Sequence, residues 1–288
     1  MAIKKSSTTN QTPIINGTKQ VAPEPPAIDS SASMKNNTGT SNPTNNKRVY
    51  SLLPDLPDHT APVYVSSNVK LPNDISWQSS YPEVYNQLDT NSCTAQAMCG
   101  AVSFLNKDFS PSQLFQFYNE RVLLNTVNSD AGATLSVACK AAENNGICPE
   151  NLWPFNISQL TVRPEQICYS KAIKNLFSKS SKLLTQNNPN LIAEIKDAIA
   201  QGHPVIAGIL VFPSMEDQGT AETGIVPMPS GNNPPLGGHA IVLMGYYEAT
   251  GLIQFRNSWG PNWGKDGYGF LPEAYFESYL MSAWVLEK

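Results

Sequence analysis

The 288-residue chain has no long apolar run, no excess of basic charge, no paired-cysteine motif and only three histidines. No stretch approaches the roughly 18 consecutive apolar residues that a membrane-spanning helix needs. A net charge of −4 leaves no electrostatic footprint for nucleic acid or an anionic membrane, so neither is expected as a partner. No CxxC pair or His-x3-His spacing occurs, and neither a metal nor another cofactor is expected. The five cysteines form an odd set offering at most one bridge, which argues that the fold does not depend on oxidation. The N-terminus, Met1 to Ser7, carries lysines without an apolar core behind them, so no signal peptide is read there. Location stays unassigned among intracellular, virion-associated and non-classically secreted.

The scarcity of histidine makes one of them informative. His239 lies between Gly237-Gly238 and the apolar run Ala240 to Met244, a setting that suits an imidazole reachable from a cleft. Ile241 to Met244 reads as a buried strand, Gly245 and Gly251 as turn punctuation, and Leu252 to Phe255 as the partner strand. Such a hairpin brings His239 beside Asn257, eighteen residues later. An imidazole oriented by an amide oxygen is half of a catalytic site.

The expected nucleophile is Cys93. Ala95, Met98, Cys99, Val102 and Leu105 follow it at helical spacing, and Ser92 is an acceptable N-cap. A thiol in the first helical turn meets the positive end of the helix dipole, and a neighbouring imidazolium lowers its pKa further. Gln87, six residues upstream, would donate to a developing oxyanion, with the Cys93 backbone N–H as second donor.

Gln87, Cys93, Gly238-His239-Ala240 and Asn257-Ser258-Trp259-Gly260 stand in the order found in the papain-like cysteine peptidases, which the chain resembles over roughly residues 71–285. Trp263 to Gly269 looks like the continuation that family shows after its asparagine. The Ser-Cys-Thr-Ala form, Pro111 to Phe115, and Glu150 to Phe155 are closer to bacterial, archaeal and viral members than to plant or animal cathepsins. Thr90 stands at the family's half-cystine, Thr94 at its aromatic and Leu88 at its glycine. The first departure removes a familiar disulfide and the other two affect the loop that holds Gln87, but none removes a group that performs bond chemistry.

The resemblance implies an α+β, papain-like fold of two lobes: a helical one with the cysteine and a β-barrel-like one with the histidine and asparagine. It implies a monomeric thiol protease that hydrolyses protein or peptide substrates through a thioester acyl-enzyme. The resemblance also places Gly132 and Ala133 on the strand receiving the substrate backbone. Ala240 falls near the pocket for the residue two before the scissile bond, and Trp259 over the His239–Asn257 pair. A thioester-based acyl transferase, or a catalytically silent binding module, is the alternative.

Residues 1–47, rich in Ser, Thr, Asn and Pro, read as a disordered tail, and 48–70 as an extended strap or a short propeptide-like segment. As a propeptide that segment would make the chain's own N-terminal region its inhibitor. Residues 71–288 form the peptidase domain, with a helical lobe at about 90–200 and a β-rich lobe at about 203–288. Helices are expected over 93–106, 112–119, 135–144 and 191–201, and strands over 205–211, 240–245, 252–256 and 281–286. Cys99 and Cys139 read as buried thiols, and Cys148 and Cys168 as free or paired. The aperiodic stretch from Pro213 to Pro235 exceeds ordinary connections and is expected as a loop near the cleft.

Overall fold

The computed structural model describes residues 48–287 apart from Asn68 and Ser178, so the reading of residues 1–47 lies outside the described residues. In chain order the elements are β1 (Asp74–Ser76), α1 (Cys93–Leu105), α2 (Gln113–Leu124), α3 (Leu135–Asn145), α4 (Gln166–Ala172), β2 (Lys179–Lys182) and α5 (Leu191–Ala200). There follow β3 (Val205–Val211), α6 (Gln218–Thr223), β4 (Gly237–Tyr247), β5 (Leu252–Arg256), β6 (Tyr268–Pro272), α7 (Glu273–Tyr279) and β7 (Leu280–Glu287). The strands form one antiparallel sheet in the order β2-β7-β3-β4-β5-β6, with β1 joining β4. This is the expected α+β arrangement of a helical lobe against a β-rich one.

Strand β4 explains why two lobes meet where they do. Every residue from Gly238 to Tyr247 is buried, and alternate side chains serve different cores. Ala240, Val242 and Met244 pack among the helices α1 and α3, whereas Ile241 and Leu243 pack beside α5 and α7. A strand covered on both faces needs a continuous apolar run rather than alternation, which is what its sequence carries. Gly245 lies inside this strand, at a register shift against β5, and the expected turn falls later, at Glu248 to Gly251.

Helix α1 is likewise enclosed, from Cys93 to Ser103. Its sequence suggests one apolar face, yet Thr94, Gln96 and Ser103 are also buried, each with a hydrogen-bond partner. Those partners offset the cost of burying polar groups and let α1 run through the centre of the molecule. Helices α2 and α3 begin on true side-chain caps, Ser112 to Phe115 N at 3.1 Å and Thr134 to Val137 N at 3.1 Å. The second cap fixes the approach of Gly132 and Ala133.

The segment before the domain crosses both lobes. Leu52 N donates to Gly238 O at 3.1 Å and Leu53 N to Ala133 O at 2.9 Å. Asp55 then accepts from Ser136 N and Trp284 Nε1, both at 2.8 Å. Further on, Lys182 N donates to Pro62 O at 2.7 Å, and Tyr64 OH to the Asp197 carboxylate at 2.7 Å. Residues 48–67 therefore behave as two pieces, one lying between the lobes and one fastened along the outside of the sheet.

Candidate active site

The β4–β5 pairing brings His239 and Asn257 together. His239 Nε2 lies 2.9 Å from Asn257 Oδ1, and the same oxygen accepts the Ser258 backbone N–H at 2.8 Å. The backbone donor fixes which end of the amide faces the ring, so Nε2 must carry a proton to meet it. In the neutral ring this leaves Nδ1 as the basic nitrogen, and it is buried with no hydrogen-bond partner among the described residues. Trp259 stacks on the imidazole with centroids 4.9 Å apart and is itself braced by Trp263 at 5.0 Å.

Cys93 opens helix α1, and the nearby backbone N–H groups of Ala240, Thr94 and Cys93 itself favour its thiolate. Cys93 and Ala240, the residue next to His239, pack in one core cluster, which joins the two halves of the site across the lobes. Ser92 occupies the N-cap position but does not cap: its hydroxyl instead meets Thr90 Oγ1 at 2.7 Å and Gln96 Nε2 at 3.2 Å. That diversion leaves the first amides of α1 without a hydroxyl cap from Ser92.

Gln87 is held from both ends. Its Oε1 accepts Ser258 Oγ–H at 2.6 Å and its Nε2 donates to Thr90 O at 2.9 Å, while Gln87 N donates to Ser258 O at 2.9 Å. The amide retains a second N–H for another acceptor. The departures around it now have physical explanations. Leu88 takes a left-handed backbone, φ 56°, where the resemblance expects glycine. Thr90 closes the loop by donating to Gln87 O at 2.7 Å. Thr94 points away from the cleft and donates to the buried Glu120 carboxylate at 2.6 Å.

His239 does not face open solvent. It is 0% exposed and Cys93 1%, because the segment upstream of the domain covers them. Tyr50 sets its ring edge-on to both His239 (6.2 Å) and Trp259 (6.1 Å). The Ser51 carbonyl packs so closely on Gly132 that a Cβ there would come within 1.9 Å of it, and a Cβ on Gly238 would meet Leu52 O at 2.7 Å. These glycines admit a second backbone into the cleft. Leu52 fills it, with its Cδ2 against Gly208, the register partner of Ala240. In this dry setting burial pushes the Cys93 thiol up to about 12, overcoming the backbone N–H groups that stabilise its thiolate. Burial also lowers the His239 imidazole to about 4 against the opposing pull of Asn257. Both groups are neutral near pH 7 while covered.

Gly132 and Ala133 lie in the irregular stretch leading into α3 rather than in a strand, and Ala133 supplies the carbonyl that Leu53 uses. Ala240 is 1% exposed, at the floor beneath Leu52. Cys99 and Cys139 are buried as expected, while Cys148 and Cys168 are free thiols, and Cys168 Sγ–H donates to Leu152 O at 3.8 Å. Sequence reasoning missed Ser258 as the clamp on Gln87, although it sits within the asparagine motif. It also missed Arg256, whose buried guanidinium binds Pro82 O at 2.8 Å and Glu83 O at 2.6 Å and so carries the Gln87 loop onto β5. Nothing in the sequence marks a partner so distant.

A two-lobed α+β fold with a cysteine on the leading turn of one lobe's helix and a His–Asn pair on the other lobe's sheet is that of a cysteine protease. The profile of the papain family of cysteine proteases matches residues 71–278, and the chain belongs to that family. The peptidase C1-like protein L477 of Acanthamoeba polyphaga mimivirus, itself uncharacterized, is 31% identical over 221 residues, covering 72% of this chain and 71% of its own. Cysteine protease Amb a 11.0101 of Ambrosia artemisiifolia is 26% identical over 215 residues, 71% of this chain and 52% of its own, so the chain spans about half of that plant relative. Among solved structures, xylellain, a cysteine protease from Xylella fastidiosa, has a TM-score of 0.76 at 28% identity, covering 86% of this chain and 99% of that one.

Proposed function

We propose that this protease hydrolyses peptide bonds through Cys93 and His239, and that the described chain is its latent form, shut by its own residues 48–53. His239 Nδ1 takes the thiol proton, and the Cys93 sulfur attacks the scissile carbonyl. The second N–H of Gln87 and the Cys93 amide stabilise the tetrahedral oxyanion. The imidazolium then protonates the leaving amine, and the resulting thioester is hydrolysed with His239 as base. Asn257 holds the ring and its tautomer without adding charge, the orienting part that a carboxylate plays in serine hydrolases.

The observation that carries the reading is the convergence on one covered spot. The basic nitrogen of an Asn-fixed imidazole and a helix-leading thiol are buried together under a segment of the same chain. Latency has a steric and an electrostatic side. Leu52 and Tyr50 fill the cleft, and the water they exclude is what the thiolate–imidazolium pair needs for its solvation. Direction adds a third element. The resemblance puts the acyl-side pocket at Ala240, where Leu52 lies, while Tyr50 and Arg48 lie toward Trp259. The leader thus runs from the leaving-group side to the acyl side, opposite to a substrate's course.

Incubating the full chain with short fluorogenic peptides, before and after limited proteolysis of the leader, tests both parts. Hydrolysis is expected to rise sharply after the cut. An added amine nucleophile should leave hydrolysed product dominant; aminolysis as the main outcome would instead make the enzyme a transferase. Equal activity before and after the cut would remove the latency claim.

A further inference from the structure

The contacts of Arg48 are not needed to cover Cys93, yet they are specific. Its guanidinium carbon stands 4.4 Å above the Trp259 ring, and its Nη1 lies 3.9 Å from Glu216 Oε1. Tyr50 OH donates to the same carboxylate oxygen. Glu216 belongs to the Pro213–Pro235 stretch, whose base is not the featureless loop expected from sequence. Its start forms a helical turn over Pro213–Met215, with Met215 fully buried and Glu216 N donating to Pro213 O at 2.9 Å. Helix α6 follows, and Thr220 Oγ1 ties it back to Ser214 O at 2.8 Å. The carboxylate is therefore presented by a braced arm beside the catalytic histidine, facing an aromatic ring.

An aromatic face opposed by a carboxylate is a cradle for a guanidinium or ammonium group. We propose that Trp259 and Glu216 form a subsite that selects Arg or Lys one or two residues after the scissile bond, and that Arg48 occupies this subsite in the latent chain. The inference rests on the peptidase reading above. Trp259 supplies the cation–π surface and Glu216 the charge; Glu216 also retains the leader until it is displaced. Both side chains of the Arg48–Glu216 pair are about a third exposed, so the selection is modest. About a tenfold preference is the size expected of a partly screened cation–π and carboxylate contact.

The test uses the full chain carrying Arg48→Ala and Leu52→Ala, which empties the subsite and loosens the leader. Peptides identical except for Arg, Lys, Gln or Glu at the first and second leaving-group positions compete in one mixture, read by mass spectrometry. The ratio of kcat/KM between competing peptides cancels whatever fraction of enzyme stays closed. Arg and Lys peptides are expected to be cut about tenfold faster than the Gln peptide at one of these positions, with Glu slowest. Adding Glu216→Gln should bring the Arg:Gln ratio close to one, and Glu216→Lys should turn the preference toward Glu. Cleavage of all peptides at equal rates, or ratios unchanged in both Glu216 variants, overturns the subsite and leaves the peptidase reading standing. If Glu216 serves only as a latch, its variants will raise activity of the otherwise unmodified chain without altering any ratio, which also overturns it. No cleavage of any peptide, with no labelling of Cys93 by a cysteine-directed epoxide, sinks the peptidase reading and the subsite together.

Discussion

Replacing Leu52 with alanine probes the leader where it is best packed. Leu52 is 4% exposed, and its side chain rests on Gly208 and Gly238 beside the Ala240 floor. Large-to-small changes at buried leucines cost about 2–5 kcal/mol, transfer and cavity terms together. The lower end applies here because a cleft can admit water once the side chain is gone. The change weakens only the seated leader, since in the open form residue 52 is solvated in either version. A loss of about 2–3 kcal/mol multiplies the open population by roughly 30- to 150-fold, at about 1.4 kcal/mol per tenfold. The first-order rate at which a cysteine-directed epoxide labels Cys93 in the uncut chain, followed by intact mass, reports that population directly. Leu53, 46% exposed and next in sequence, is the control, and its alanine variant should change the rate less than about threefold. If Leu52→Ala is labelled no faster than the parent chain, packing of the leader is not what closes the site.

Three other outcomes follow from the same structure. With the leader in place, burial holds the thiol near 12 and the imidazole near 4, so cutting the leader should move the pH midpoint of Cys93 labelling down by more than about 2 units; an unmoved midpoint contradicts burial as the cause. Gln87→Ala should lower kcat by about 10²–10³-fold, and Ser258→Ala, which only frees Gln87 Oε1, by about tenfold or less; equal losses would mean that Ser258 does more than position the amide. Burial raises Glu120 from 4.5 to about 7, so the folded state holds that proton more tightly than the unfolded chain. Its stabilising effect is complete below about pH 4.5 and is lost as pH rises through 7, a decline of roughly 3 kcal/mol. Urea unfolding of Glu120→Gln across that range should show a correspondingly flatter profile, and an unchanged slope refutes the assignment.

The parts of the site visible in the sequence were those whose spacing obeys local rules. Strands Val205–Val211 and Leu252–Arg256 were readable to the residue because apolar runs end at turn-forming residues. The hairpin then sufficed to pair His239 with Asn257. Strand β6, in contrast, opens with Tyr268-Gly269, the end of a motif read for its resemblance rather than for its periodicity. Strands β1 and β2 are three and four residues long, too short to show a period. Helix α1 looked amphipathic because its buried Thr94, Gln96 and Ser103 are polar, and only their partners reveal that they lie inside. The exposure expected of His239 failed for a related reason. Its setting after Gly237-Gly238 suits an imidazole reachable from a cleft, but what occupies that cleft lies almost two hundred residues upstream, at Tyr50 to Leu52. Long-range side-chain partners such as Arg256 with the Pro82–Glu83 carbonyls leave no local signature at all.

Which of the five cysteines reacts is the most direct test of the central claim. After removal of the leader, a cysteine-directed epoxide followed by peptide mapping should modify Cys93 alone, with hydrolysis lost in step, and Cys93→Ala should neither label nor hydrolyse while keeping the parent fold by circular dichroism. Labelling mainly at Cys99, Cys139, Cys148 or Cys168, or retained hydrolysis in Cys93→Ala, would contradict the account.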